Sequence, residues 1–313
     1  MNERDLDTLV DVITARVREQ LDGTPKPQNP YADPSKPCAA TKGQCVGCGW
    51  AVRRREKDTR KIIDLGAARI ATAVGVSEHG GVANDLARFI DHTMLKLDTT
   101  RDDLRKLCEE ARTYRFATVC VNATNVRFVA PLLRGSPVRV CAVVGFPLGA
   151  STGTSKAFET REAVRSGADE IDTVINVGAL KSRDYATVLD DICEVVKAAG
   201  DHAVKVILET ASLTHDEKVI ACALSKVAGA AFVKTSTGFG AGGATAEDVA
   251  LMKMVVGDEL QVKASGGVRT ADDVRKMISA GATRIGASAS VAIVTGKTSG
   301  KSAKKAGARK SLY

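Results

Sequence analysis

Two lysines stand in short apolar runs of this 313-residue chain, and each is followed by a turn rich in Thr, Ser and Gly. Lys234 lies in the segment Phe232-Val-Lys-Thr-Ser-Thr-Gly238, and Lys263 lies near the end of a second run that begins at Leu260. A charged ammonium is costly to desolvate, and a second ammonium nearby disfavours protonation further. The sequence therefore predicts that Lys234 carries an uncharged amine near neutral pH and forms a Schiff base with a carbonyl substrate. The alternative is that each lysine extends from a strand end into water.

A regular alternation of β and α patterns must position these lysines. Between residues 82 and 296, eight strand-like runs end near Asp91, Val121, Val144, Ile175, Glu209, Thr235, Ala264 and Ala287. Threonine caps followed by acidic residues predict helix starts after Thr99, Thr214 and Thr270. Eight β/α units predict a TIM (β/α)8 barrel, whose chemistry lies at the C-terminal ends of the strands. On that fold one mouth of the barrel gathers Asp91, Asp172, Lys234 and Lys263.

Five segments resemble, in order along the chain, the signatures of the deoxyribose-phosphate aldolase family. They are Ile90-Asp-His-Thr-Met-Leu-Lys96, Val143-Val-Gly-Phe-Pro-Leu-Gly149, Glu170-Ile-Asp-Thr-Val-Ile-Asn176, Phe232-Val-Lys-Thr-Ser-Thr-Gly238 and Val262-Lys-Ala-Ser-Gly-Gly-Val-Arg-Thr270. Together they span roughly residues 82–296 and leave both ends of the chain unexplained. The resemblance implies a class I aldolase that needs no metal or other cofactor, because a protonated imine serves as the electron sink.

The resemblance also implies a substrate and a role for each site residue. Lys234 would form an imine with 2-deoxy-D-ribose 5-phosphate, and cleavage would release D-glyceraldehyde 3-phosphate and then acetaldehyde, in a step of carbohydrate and nucleoside catabolism. Asp172 would transfer protons together with a water and Lys263, and Lys263 would favour the neutral form of Lys234. Asp91 would join the same set, either in proton transfer or in fixing a lysine by an ion pair. Lys205, near the start of its strand, is predicted to form a structural ion pair.

A phosphate site is predicted in the turns after the last three strands, where barrels bind phosphate with backbone N–H groups. Its predicted residues are Thr237, Gly238, Gly266, Gly267, Gly286 and Ser288. Some relatives carry a lysine after the Thr-Gly pair, whereas this chain has Phe239. We therefore expect phosphate affinity to depend on backbone donors and dipoles.

The first 37 residues predict a helix and a linker outside the barrel. Apolar residues recur with helical spacing within residues 1–21, and residues 22–37 hold five of the eight prolines. This arrangement resembles the encapsulation peptides that attach enzymes to shell proteins of bacterial microcompartments. The alternative is a helix that packs on its own domain or pairs with its copy in an oligomer.

Residues 38–81 contain a cysteine cluster followed by a helical stretch. Cys38, Cys45 and Cys48 have a spacing that could bind zinc or an iron–sulfur cluster, although a fourth ligand is not evident nearby. The aldolase family does not need this segment. The other five cysteines are scattered singly through apolar runs and are predicted to be reduced core residues.

The C-terminal tail, residues 297–313, accounts for most of the net charge of +8, because it contains six Lys or Arg and no acid. No nucleic-acid motif accompanies it, so no nucleic-acid partner is predicted. No apolar run approaches the ~20 residues of a membrane span, so we predict a cytoplasmic homo-oligomer, a dimer or tetramer, with no membrane partner. The terminal Tyr313 resembles a tyrosine that assists proton transfer in some family members.

Two other functions are compatible with the sequence. One is a different imine-forming aldolase that acts on a related sugar phosphate. The other is a catalytically idle barrel that serves as compartment cargo or scaffold, with the N-terminal helix as its working part.

Overall fold

The computed structural model describes Val12 and residues 86–296 of the chain. Val12 lies in a helix and is exposed. The other residues of the predicted targeting helix, the linker, the segment 38–81 with Cys38, Cys45 and Cys48, and the tail with Tyr313 lie outside the described residues. Between residues 86 and 296, no helix is both long enough and apolar enough to cross a membrane.

Eight parallel strands pair in sequence order and close into a barrel when β8 pairs with β1. The strands are β1 Ile90–Met94, β2 Thr118–Asn122, β3 Arg139–Val144, β4 Glu170–Val174, β5 Ala203–Ile207, β6 Phe232–Lys234, β7 Gln261–Ser265 and β8 Arg284–Ala287. The predicted TIM barrel is confirmed.

Helices follow the strands and cover the outside of the barrel. They are α1 Arg101–Tyr114, α2 Val126–Leu133, α3 Gly153–Arg165, α4 Val177–Lys181, α5 Tyr185–Ala199, α6 His215–Val227, α7 Ala246–Val256, α8 Ala271–Ser279 and α9 Ser290–Thr295. Capping boxes at Thr100, Thr214 and Thr270 confirm the three predicted helix starts. In each box the threonine and an acid three residues later satisfy backbone N–H groups that the first helical turn leaves unpaired.

The prediction that the first strand ends near Asp91 is wrong, because β1 continues to Met94 and Asp91 is its second residue. His92 and Thr93 are polar, which is typical of a turn, but each of these side chains has a hydrogen-bond partner in the fold. His92 is bound by Glu110 of α1 at 2.9 Å, and the Thr93 hydroxyl donates to the carbonyl of Asp91. Asp91 therefore lies inside the barrel, below the rim.

The two faces of the strands differ in chemistry. Residues of one parity, such as Val119, Val204 and Val262, form the apolar core beneath the helices. The other parity faces the barrel interior, which in TIM barrels is dominated by bulky branched apolar side chains. In this chain much of that interior layer is charged, and the charged side chains are the candidate site.

Candidate active site

Asp172, the middle residue of β4, binds three lysines at once. Lys205 Nζ lies 2.7 Å from Oδ1, while Lys234 Nζ and Lys263 Nζ lie 2.8 and 2.7 Å from Oδ2. Strand register produces this meeting, since Asp172 pairs with Lys205 across β4 and β5, and Lys234 pairs with Lys263 across β6 and β7. The structure thus brings three of the four predicted catalytic residues together, with Lys234 and Lys263 both bound to the carboxylate of Asp172.

Asp91 and Glu170 complete the cluster on the side away from the mouth. Asp91 contacts Lys263 at 2.5 Å and Arg284 at 2.9 Å. Glu170 contacts Lys205 at 2.6 Å and Arg284 at 3.0 Å. Asp91, the fourth predicted residue, therefore reaches the cluster through Lys263, as the ion-pair alternative for it requires.

The buried charges of this cluster do not balance. It contains three carboxylates and four cations, which are Asp91, Asp172, Glu170, Lys205, Lys234, Lys263 and Arg284. Three of the cations each contact two carboxylates, whereas Lys234 contacts Asp172 alone. Lys234 is also the last residue of its strand, so it stands at the mouth. Lys234 is therefore the cluster cation with the fewest carboxylate partners and the one placed at the mouth.

The remaining cluster charges are fixed by one another. Burial alone would raise the pKa of Asp172, but Lys205, Lys234 and Lys263 outweigh burial and hold that pKa well below its usual range. Burial alone would lower the pKa of Lys263, but Asp172 and Asp91 outweigh it and raise that pKa. Asp172 is thus an anion and Lys263 a cation at neutral pH. Lys234 accordingly shares a carboxylate oxygen with a permanent cation.

The predicted phosphate residues fall into two groups. Gly238, Gly267 and Ser288 are exposed in the turns after β6, β7 and β8, and their amides donate no hydrogen bond within residues 86–296. Gly266 lies beside Gly267 and is half-buried, with φ of +87°. These positions suit a phosphate that accepts from backbone N–H groups.

Two predicted phosphate residues have other contacts. Thr237 is buried, and its amide and hydroxyl both donate to the carboxylate of Glu209. Gly286 is buried below the rim, where an added Cβ would lie 2.8 Å from the Cβ of Ser265 and 3.2 Å from Cε of Lys263. The glycine at position 286 is therefore explained by its packing against Lys263.

Aromatic side chains line part of the mouth. Phe239, at the position where some relatives carry a lysine, packs edge-to-face on Phe146 of the loop after β3, with ring centroids 5.3 Å apart. Its ring remains half exposed. Phe146 and Phe239 thus form an apolar side of the mouth.

Several cluster residues were not identified from the sequence. Lys205 forms the predicted structural ion pairs; it is the third residue of β5 and lies level with Asp172, two residues below the level of Lys234. Glu170 was missed although it precedes Asp172 by two residues, which places both on the same face of a strand. Arg284 begins β8 and gave no signal of its own.

Cysteines approach the cluster as well. Cys141 Sγ lies 3.1 Å from Asp172 Oδ1 and 3.3 Å from Lys205 Nζ. Cys120, Cys141 and Asp172 bring potential metal ligands within 4.8 Å of one another. The three ammonium groups on Asp172 oppose a further cation at this position. The five described cysteines are free thiols, as predicted.

A model of the DeoC/LacD aldolase family matches residues 86–305. The chain belongs to this family. The match covers the whole described barrel and confirms that the five sequence signatures were assigned to the correct family. The resemblance to encapsulation peptides concerns residues outside the described part of the chain.

Relatives of this DeoC/LacD family aldolase support the same assignment. A deoxyribose-phosphate aldolase of Staphylococcus carnosus (strain TM300) is 59% identical over 212 residues, which is 68% of this chain and 96% of the relative. A solved structure of a putative deoxyribose-phosphate aldolase from Coccidioides immitis is 47% identical over 67% of this chain and 84% of that one, with a TM-score of 0.66. The tetrameric deoxyribose phosphate aldolase from Aeropyrum pernix is 32% identical over 68% of this chain and 90% of its own, with a TM-score of 0.64.

Proposed function

We infer that this chain is a deoxyribose-phosphate aldolase, which cleaves 2-deoxy-D-ribose 5-phosphate reversibly to D-glyceraldehyde 3-phosphate and acetaldehyde. The observation that carries the mechanism is the shared oxygen of Asp172, which places the amine of Lys234 beside the permanent cation Lys263. The amine of Lys234, at the mouth of the cluster, is the nucleophile that forms the imine.

The reaction follows from this geometry. The Lys234 amine attacks C1 of the open-chain sugar, and loss of water gives a protonated imine. The C3 hydroxyl then loses its proton, and the C2–C3 bond breaks to release D-glyceraldehyde 3-phosphate. The electron pair of the broken bond moves to the imine and forms an enamine. Protonation at C2 and hydrolysis release acetaldehyde and restore the amine. Because the iminium carries the same charge as the ammonium it replaces, Asp172 can stabilise both.

Asp172 has a more restricted role than direct acid–base catalysis. Its pKa is held well below the usual range by its three lysines, so it is ionised in the resting enzyme. We propose that it relays protons through a bound water and that Lys263 orients this water. Asp91, which contacts Lys263 and Arg284, fixes the position of Lys263.

Borohydride reduction in the presence of acetaldehyde tests the proposal. The expected result is a stable adduct on Lys234 in the wild-type enzyme and none in Lys234→Ala. No adduct on the folded wild-type protein would favour the idle-barrel alternative. Cleavage assays with deoxyribose 5-phosphate and other phosphosugars, run side by side, separate this activity from that of another imine-forming aldolase.

We further propose roles for the segments outside the barrel. Residues 1–21, joined by the linker 22–37, would attach the cytoplasmic enzyme to a microcompartment shell protein, and a reporter fused to residues 1–21 should then move to assembled shells. Residues 38–81 would bind zinc or an iron–sulfur cluster through Cys38, Cys45 and Cys48, which metal analysis of the purified protein tests. Deleting Tyr313 of the tail 297–313 should slow proton exchange at C2. A homo-oligomer is supported by the tetrameric relative and is tested by its mass in solution.

A further inference from the structure

Glu209 is a buried carboxylate at the mouth of the barrel that the proposed mechanism does not use. It follows β5, is only 9% exposed, and has φ of 56° and ψ of 59°. The left-handed region costs a residue other than glycine on the order of 1 kcal/mol, and an unpaired buried charge costs more. No cation lies within ion-pair distance of Glu209 in the described part of the barrel. Two unfavourable features at one residue indicate that its side chain has a function there.

The carboxylate of Glu209 holds the loop that follows β6. Its Oε2 accepts from the amide of Thr237 at 3.1 Å and from the Thr237 hydroxyl. The same hydroxyl oxygen accepts from the amide of Phe239 at 3.1 Å. Hydrogen bonds to an ionised acceptor are about twice as strong as neutral ones, so this chain of bonds fixes the loop just after Lys234.

The second carboxylate oxygen, Oε1, is closed in by the same loop. It is buried and accepts no hydrogen bond from residues 86–296. A Cβ added to Gly240 would lie 2.9 Å from it. Only a glycine at position 240 allows the loop to approach the carboxylate this closely, so the loop conformation and the position of Glu209 depend on each other.

Gly238 lies between the two residues that this network holds. It is exposed, its φ is +85°, and its amide donates no hydrogen bond within the described residues. A phosphate cannot displace Glu209 from the Thr237 amide without facing its negative charge at short range. The electrostatically favourable approach is therefore to Gly238.

We propose that Glu209 is a positioning residue that sets the preference for a phosphorylated substrate, by holding Thr237 and Phe239 so that the amide of Gly238 points at the phosphate. This proposal rests on the proposed function, because it requires a substrate with a 5-phosphate. It assigns no contact between Glu209 and the reacting carbons.

The test compares 2-deoxyribose 5-phosphate with unphosphorylated 2-deoxyribose in wild type, Glu209→Ala and Glu209→Gln. Glu209→Ala should raise KM for the phosphorylated sugar about tenfold or more, with kcat and all kinetics on the unphosphorylated sugar changed less than about threefold. Glu209→Gln should stay within about threefold of wild type on both sugars, because its amide oxygen can accept from the same two donors.

Two further variants sharpen the comparison. Glu159→Ala is a matched control, because the Glu159 carboxylate holds a different mouth loop through the amide of Gly145 at 2.8 Å. It should change the kinetics on both sugars alike. Thr237→Val removes the hydroxyl from the network but keeps the amide bond to Glu209, so it should raise KM for the phosphorylated sugar in the same direction, and the double variant should be no worse than Glu209→Ala alone.

The proposal is overturned if Glu209→Ala lowers kcat/KM equally for both sugars, or if Glu209→Gln is as damaging as Glu209→Ala. If Glu209→Ala does not fold, an unchanged preference in Thr237→Val overturns it equally. A wild-type protein that acetaldehyde and borohydride label on Lys234, but that does not cleave the phosphorylated sugar, would instead refute the substrate assignment.

Discussion

Two fully buried lysines in this barrel, Lys156 and Lys263, show how the surroundings decide what a buried amine does. Lys156 joins α3 to α5, where it donates to Asp191 at 2.6 Å and to the carbonyl of Val174 at 2.7 Å. This is one cation with one carboxylate. Lys263 lies in the barrel interior, where four cations share three carboxylates.

The pKa shifts differ in sign between the two places. Around Lys156, burial outweighs the single partner, so the pKa of Lys156 is lowered and that of Asp191 is raised. In the barrel interior several opposite charges outweigh burial, so the pKa of Lys263 is raised and that of Asp172 is lowered. The isolated pair of Lys156 and Asp191 therefore serves to join α3 to α5. In the crowded cluster, opposite charges keep Asp172 and Lys263 ionised, and the amine of Lys234 stands beside them at the mouth.

Lys234→Ala should separate chemistry from stability most clearly. Loss of the nucleophile should reduce cleavage at least ~10³-fold, since no other amine of the cluster stands at the mouth. The free energy of unfolding should change little, because Asp172, the one ionic partner of Lys234, keeps Lys205 and Lys263. Steady-state kinetics and denaturant unfolding measure the two effects. A fully active variant would contradict the assignment of Lys234.

Lys156→Met should produce the opposite pattern. Asp191 would remain buried without its cation, so the free energy of unfolding should fall by about 3 kcal/mol. Activity per folded molecule should change less than about threefold. The double variant with Asp191→Leu should recover part of the lost stability. If Lys156→Met instead lost activity at full stability, the distinction between the two lysines would fail.

Lys263→Leu should reduce activity near neutral pH by more than tenfold, which corresponds to about 1.4 kcal/mol. Lys263 shares an oxygen of Asp172 with Lys234, so removing this cation changes the charge beside the nucleophile, and the pH–rate profile should change with it. An unchanged profile would remove Lys263 from this role.

Asp91→Asn should have the smallest effect on the reaction, and its effect should be seen mainly in the acid dependence of stability. The folded pKa of Asp91 lies below its unfolded value of about 4, because the cations Lys263, Lys205 and Arg284 outweigh burial. Its stabilisation is therefore present above pH ~4 and is lost as the pH falls below that value. The difference in unfolding free energy between wild type and Asp91→Asn should shrink between about pH 5 and about pH 3, roughly one unit on each side of the unfolded pKa. A constant difference would contradict it.

Local patterns were sufficient to predict most of the fold. Strands buried on both faces give short apolar runs, and hydroxyl caps followed by acids mark helix starts, so the barrel and its capping boxes could be recognised. The end of β1 was misjudged because His92 and Thr93 are polar, and the partner of His92, Glu110, comes from helix α1. Helix α2 contains Pro131, which weakens its helical pattern.

The site was only partly predictable, because its members are joined by register across the barrel. Lys234, Lys263 and Asp172 were found because each lies in a recognisable segment. Arg284 could not be linked to Glu170, since the two residues are 114 positions apart and meet only when the sheet closes. Glu209 was taken as a strand end, and its hold on Thr237 depends on a left-handed backbone that no sequence pattern announced.

The tight packing at Gly286 has a consequence for anyone who redesigns this pocket. A single methyl group there would meet the stem of Lys263 and the Cβ of Ser265 before it reached any ligand. Variants that place a side chain at position 286 would therefore displace the ammonium of Lys263 instead of reshaping the wall of the substrate pocket. Libraries at this position should be screened for altered pH optima before they are scored for new aldehyde acceptors.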